Sequence, residues 1–163
     1  MSLRLEPLAA DEQSRVAHIA VAEEQRVFSG TVAEAFARTS DGVDFHVILS
    51  EDQPVGFFKI DTGYPETHPF APQGSLGLRA FMVDHRMQGQ GIATGAVALL
   101  PAYLATRYTG AETLFLTVNK RNPGAIRAYL KGGFTDTGQE WLGGDAGPQH
   151  IMHLPISPAR DNS

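Results

Sequence analysis

No cysteine occurs among the 163 residues. That absence excludes disulfides, thiolate metal sites and covalent catalysis by a cysteine, so any enzyme-bound acyl group would need another nucleophile. Long apolar runs are missing as well. None approaches the roughly 20 residues that span a bilayer, and the N-terminus lacks the basic start and apolar stretch of a secretory leader. A cytoplasmic protein with no membrane partner is expected. Positive charge is scarce, with 13 Lys and Arg against 18 Asp and Glu and a formal net charge of −5. This argues against nucleic acid as a partner, because a basic face dominates that affinity. It is compatible with a cationic substrate, and equally with an ordinary solvated acidic surface. Six histidines are present, but His18, His46, His68 and His85 have no ligand-like spacing. His150 and His153 stand three apart on a predicted strand and so point to opposite faces. No metal site is expected.

What is present suits a globular domain: 42% hydrophobic and 19% charged residues, in a chain long enough for one sizeable core. We read residues 1–163 as a single domain without repeats. Residues 3–6 alternate as a short strand that Pro7 ends. Across residues 11–22, Val16, Ile19 and Ala20 recur at helical spacing. Thr31 and Glu34 form a capping box for a second helix. Residues 44–49 and 55–60 are β-rich and joined by the polar turn 50–53, which makes a hairpin. The segment 62–74, with three prolines and two glycines, is a long loop of the kind that often walls a substrate pocket. Residues 76–83 form a strand. The next helix presents Ile92, Ala96, Leu99, Leu100 and Tyr103, and Pro101 is expected to kink or shorten it. A strand follows at 113–118. Asn122 then caps a helix that has Pro123 at its first position, carries Ile126, Tyr129 and Leu130, and closes at Gly132-Gly133. Strands at 134–137 and 150–155 flank a turn around Gly143-Gly144. The order predicts an α/β (α+β) fold: a mixed, largely antiparallel sheet of about seven strands with helices on both faces.

The sharpest chemical signal is the strand-to-helix loop Gln88-Gly89-Gln90-Gly91-Ile92-Ala93. The first amides of a helix have no internal partners, and glycines let such a backbone approach a ligand closely. Anions are favoured there, so a pyrophosphate is a fitting occupant, although a tightly packed turn has the same composition. A Walker loop is excluded because no Gly-Lys-Ser/Thr ending is present. A dinucleotide fingerprint fits poorly: Thr94 stands where its third glycine belongs, and Glu112 precedes its strand instead of following it.

Val83-Asp84 followed by residues 88–93 resembles the Gln/Arg-x-x-Gly-x-Gly/Ala motif of the GCN5-related N-acetyltransferases (GNAT). Val118-Asn119, then Asn122-Pro123-Gly124-Ala125-Ile126-Arg127-Ala128-Tyr129 with Gly133-Phe134, is similar to that family's second block. The resemblance spans residues 3–156, with its motif-bearing core at 76–134. Glu24-Gln25, Val55-Gly56-Phe57-Phe58 and the run 79–84 resemble bacterial spermine/spermidine acetyltransferases. The resemblance implies transfer of an acetyl group from acetyl-CoA, without a metal, to a small-molecule primary amine such as a polyamine or another small cation. It also implies that a homodimer is a common assembly.

Roles follow by the same resemblance. Backbone amides of Gln88, Gly89, Gln90, Gly91, Ile92 and Ala93 would hold the pyrophosphate. Met82 and Val83 would pair with the pantetheine arm, Asn119 and Asn122 would contact it, and Tyr129 would protonate the leaving thiolate. Physical reasoning supports the last role. Asn122 and Tyr129 lie two helical turns apart on one face, and a phenol with a pKa near ~10 stays protonated at neutral pH. Outside the motif, Tyr129 reads as a core aromatic. The amine, with a pKa near ~10.4, must lose a proton before attack. Many relatives carry a glutamate for this on the strand matching 76–83, where this chain has Arg79 and no carboxylate before Asp84. The base is left open among Glu24, a water chain and the 62–74 segment. Trp141, with Glu140 and Asp145, either borders an acceptor site for a cation or packs the last hairpin. A non-catalytic acyl-CoA-binding module on the same fold is the alternative function.

Overall fold

The computed structural model describes residues 2–143 and 147–156. Seven strands form one sheet in the order β1-β2-β3-β4-β5-β7-β6. They are β1 (Leu3–Leu8), β2 (Val43–Ser50), β3 (Gln53–Asp61), β4 (Leu76–Val83), β5 (Thr113–Asn119), β6 (Thr135–Trp141) and β7 (Gln149–Pro155). Every neighbouring pair is antiparallel except β4 with β5. The mixed, largely antiparallel sheet expected from the sequence is the one that forms. The β2–β3 hairpin turns on Glu51 and Asp52, both at positive φ (49° and 68°). Two such residues make the turn type whose twist matches paired strands.

Period-two alternation divides the sheet's side chains between two cores. Phe45, Val47 and Leu49 of β2 face one way, with Phe57, Met82, Val16, Ile19, Val32 and Ala35. Ile48 faces the other way, with Phe58, Leu114 and Leu116, beneath the helices α4 (Ile92–Arg107) and α5 (Pro123–Gly132). The first core is covered by the N-terminal third, which includes the short helices α1 (Arg26–Ser29) and α2 (Val32–Ala37). Helices therefore lie on both faces. The capping box of α2 closes as expected: the Glu34 amide donates to Thr31 Oγ1 at 3.1 Å, and the Thr31 amide donates to Glu34 Oε1 at 2.8 Å.

Four expectations change. Residues 11–22 are not a helix; the chain takes single 3-10 turns at Gln13–Arg15 and Glu23–Gln25. Val16 and Ile19 are still buried, so contact with the sheet is satisfied without a helix that so short a segment would hold poorly. Pro7 does not end β1, because β1 is an edge strand, where a missing N–H is tolerated. Pro101 does not shorten α4, which continues for 16 residues, its buried Val97, Leu100 and Leu104 packed on the sheet. Finally, the 62–74 segment contains a single helical turn, α3 (Tyr64–Thr67). Of the residues placed on apolar helix faces by spacing, Leu99 and Leu130 are exposed. In the last hairpin, Gly144 and Asp145 lie outside the described residues.

Candidate active site

The site begins where the sheet opens. Strands β4 and β5 pair only at Leu76↔Leu114 and Gly77↔Phe115, and then part. A bulge in β4 accompanies the opening. Lys59 pairs with Arg79 and Phe57 with Met82, so Phe58 alone opposes both Ala80 and Phe81. Ala80 takes φ 54° there, a left-handed conformation that is uncommon for a residue with a side chain. Between the separated strands lies a cleft of about 1120 Å³ that reaches from the start of α4 to the N-terminal segment.

One half of the cleft is built from backbone. Gly89 and Gly91 sit at φ 82° and 76°, and a Cβ added at either would meet nothing within 4 Å. Gly91 occupies the cap position of α4 without any side-chain cap. Among the described residues, the amides from Gly89 to Thr94 donate to no acceptor. This row of free N–H groups at a helix N-terminus, open to a cleft, fits the pyrophosphate of a coenzyme without a basic side chain.

The side chains expected here converge on the same wall. Val83, Gln88, Gly89, Gly91, Ile92, Ala93, Asn119, Asn122 and Tyr129 all line the cleft, whereas Met82 and Gln90 do not. Met82 turns its side chain into the core under the N-terminal segment and is 1% exposed. Only its backbone is left for a ligand. Asn119 and Asn122 are buried. Asn119 Oδ1 accepts the Arg121 amide at 2.8 Å, and Asn122 Oδ1 accepts the Ala125 amide at 3.4 Å as the cap of α5. Tyr129 is held edge-on by Phe81 and Phe134, with ring centroids 5.9 and 5.6 Å away. Burial pushes its phenol pKa above the ordinary value. Its hydroxyl has no hydrogen-bond partner among the described residues. The proton is therefore retained at neutral pH and not committed elsewhere in the fold.

The other half is built from side chains that sequence patterns do not single out. Tyr64 of α3 lies flat against Gly77, where a Cβ would stand 1.9 Å from its ring. His68 stacks on Tyr64 at 3.8 Å between centroids, and both line the cleft. The 62–74 segment thus does form part of the wall. Burial lowers the His68 pKa below its ordinary value, assisted by the charge of Arg79. Lys59 is 6% exposed and donates to the carbonyls of Ala35 and Arg38 at 3.0 and 3.1 Å. Arg79 donates to Asp61 at 3.1 Å. Trp141 packs against His68 and Phe70 at 5.1 and 5.5 Å, and Glu140 pairs with Lys120. Trp141 is thus part of a small aromatic cluster and not a lining residue. Glu24 is exposed and is not among the residues lining the cleft. Of the missed residues, Lys59 left a signal, a lone charge inside an apolar strand. The Ala80 bulge left none.

Comparisons with known proteins identify the family and the fold. The model of the acetyltransferase (GNAT) family matches residues 9–134. The Bacillus subtilis (strain 168) protein named "Uncharacterized N-acetyltransferase YbbJ" is 37% identical over 113 residues, which are 66% of this chain and 67% of that protein. Among solved structures, AAC(6')-Ib in complex with paromomycin and acetyl-CoA superposes with a TM-score of 0.77 at 16% identity, covering all of both chains. The ribosomal-protein-S18-alanine N-acetyltransferase from Escherichia coli superposes at 0.65 with 22% identity, covering 99% of each chain. A spermidine N-acetyltransferase chimera from Vibrio cholerae and hSSAT superposes at 0.66 with 16% identity, covering 96% of each. At these identities the solved structures speak for the fold. The family model and the Bacillus relative speak for descent: the chain belongs to the acetyltransferase (GNAT) family and is an N-acetyltransferase whose co-substrate is acetyl-CoA.

Proposed function

We propose that the chain transfers the acetyl group directly to a primary amine of a small molecule, within the cleft between β4 and β5. The observation that carries this reading is the facing of two unlike walls. Free backbone donors and a protonated phenol stand on one, and titratable side chains on the other. In the proposed reaction, amides 89–94 hold the pyrophosphate while Val83, Asn119 and Asn122 align the pantetheine arm. The amine nitrogen forms a bond to the thioester carbonyl carbon, and the carbon–sulfur bond breaks. Tyr129 gives its proton to the sulfur as negative charge develops there. Backbone N–H groups near Met82 polarise the thioester carbonyl and stabilise the intermediate oxyanion.

His68 takes one proton from the ammonium, and the second, released as the tetrahedral intermediate collapses to the amide, replaces the one that Tyr129 gives to sulfur. The Thr67 hydroxyl donates to the Tyr64 carbonyl at 3.4 Å, and so accepts from His68 Nδ1 at 2.9 Å. That tautomer leaves a bare lone pair on Nε2, and the lowered pKa keeps the ring neutral at pH 7. Glu34 also lines the cleft, but its carboxylate is engaged in the capping box. No thioester on the protein is required.

The sequence resemblance puts forward a polyamine or another small cationic amine as acceptor. The test is release of free thiol from acetyl-CoA across a panel of amines, run beside thermal stabilisation by acetyl-CoA. Stabilisation with amine-dependent thiol release supports the reading. Stabilisation with no release from any amine would point to the alternative, an acyl-CoA-binding module.

A further inference from the structure

Resting on the acetyl-transfer reading, we infer that the acceptor amine carries an anionic group, a carboxylate or a phosphate, held by Arg26, Arg38 and Arg79 in the acceptor half of the cleft. The whole chain is acidic, yet its lining runs the other way. Arg26, Arg38, Lys59 and Arg79 all lie on the acceptor side, against one lining carboxylate, Glu34. That carboxylate accepts the Thr31 amide. Four cations elsewhere on the surface are ion-paired: Arg4 with Glu6 and Asp52, Arg15 with Glu12, Arg86 with Asp84 and Lys120 with Glu140. The guanidinium groups of Arg26 and Arg38 have no ion-pair partner among the described residues. Arg79 spends one N–H on Asp61, and its side chain remains 48% exposed. The sign of this wall is thus opposite to that of the chain as a whole.

Three of these cations lie close together, and the charges of Arg79 and Arg38 both act on Lys59. Lys59 and Arg79 are register partners on adjacent strands, and the Lys59 ammonium bonds the Arg38 carbonyl. Two of its three protons are used in this way, on Ala35 and Arg38, which leaves one donor on a nearly buried charge. Asp61 offsets part of this charge through its pair with Arg79, and a further anion held between the cations would offset more. Guanidinium forks are suited to carboxylate and phosphate oxygens, which they bind in pairs. A polyamine would bring further positive charge to the same wall at a Coulombic cost. There is a chemical benefit too. Cations beside the bound ammonium lower its pKa, favouring the neutral nucleophile on a strand that offers no carboxylate.

The test is a set of matched amines in the thiol-release assay: free amino acids, the corresponding amino acid amides, phosphoethanolamine and spermidine. We expect kcat/KM for at least one anionic amine to exceed that of its uncharged counterpart and of spermidine by about tenfold or more. Amino acids separate the carboxylate from the phosphate as the group recognised. Arg38→Ala and Arg26→Ala, both at exposed positions, should each narrow the acid-to-amide ratio through a raised KM, with acetyl-CoA affinity retained as the control for folding. Equal turnover of acid and amide, a preference for spermidine, or acetyl-CoA binding with no turnover of any anionic amine overturns the inference. Failure of acetyl-CoA to bind at all would instead overturn the acetyl-transfer reading beneath it.

Discussion

The proposed role of Tyr129 as proton donor rests on its position. Its ring is fixed by Phe81 and Phe134 while its hydroxyl is left without a partner among the described residues. Tyr129→Phe removes only that hydroxyl. We expect kcat to fall by about a hundredfold, in the range of general acid catalysis, with the acetyl-CoA dissociation constant and the melting temperature almost unchanged. Unchanged turnover with a good acceptor would remove Tyr129 as the acid. His68 is tested by its pH profile. Its pKa is depressed by burial, so its neutral form persists below the usual histidine range. His68→Asn should lower kcat/KM at neutral pH by about a hundredfold and shrink the loss as pH rises and the free amine deprotonates in solution. A uniform loss at all pH values would mark His68 as merely a packing partner of Tyr64.

At the scale of elements, the loop before α4 depends on backbone conformation more than on side chains. Gly91 lies at φ 76°, with open space where a Cβ would be. Gly91→Val therefore causes no clash but imposes a left-handed conformation on a β-branched residue, costing about 1–2 kcal/mol. Chemical denaturation should show that loss. Titration calorimetry should show acetyl-CoA affinity falling at least tenfold as the amides turn away, while Gly110→Val, at φ 90° outside the cleft, should lose stability without losing affinity. A variant that loses stability alone at Gly91 would show that the loop does not hold the pyrophosphate. The bulge in β4 and its divergence from β5 make the cleft in the first place, since two straight parallel strands would pair to their ends and close it.

For the whole molecule, His46 sets an acid limit on stability. It lies at 2% exposure between β2 and α4, bonded to the hydroxyls of Tyr103 and Tyr108 at 2.6 and 2.9 Å. Desolvation lowers its pKa to about 4, against the opposing pull of Asp44. The unfolded chain therefore takes up the proton first as the pH drops. This contribution is fully present above about pH 6.5 and is lost progressively down to about pH 4, a total loss of about 3 kcal/mol. Denaturant midpoints measured between pH 7 and 4 should fall accordingly, and the fall should flatten in His46→Gln. An unchanged slope in that variant would assign the acid sensitivity to other groups.

The sequence by itself determined the order of strands and the helix ends, because these rest on local chemistry. The Thr31–Glu34 capping box, the Asn122-Pro123 start and the Gly132-Gly133 stop need only neighbouring residues to act. The loop 88–93 was legible for the same reason, as its glycines and helix start are contiguous. What only the tertiary structure decided depends on partners far apart in the chain. Residues 11–22 fold as turns because the sheet beneath them, not helical periodicity, buries Val16 and Ile19. Pro7 stays in a strand because that strand is at an edge. The second wall of the cleft is drawn from Arg26, Arg38, Lys59, His68 and Arg79, which the strand pairing of β3 with β4 and the packing of the N-terminal segment bring together. Its positive charge runs against the net charge of the chain, because a sum over residues carries no information about where they meet.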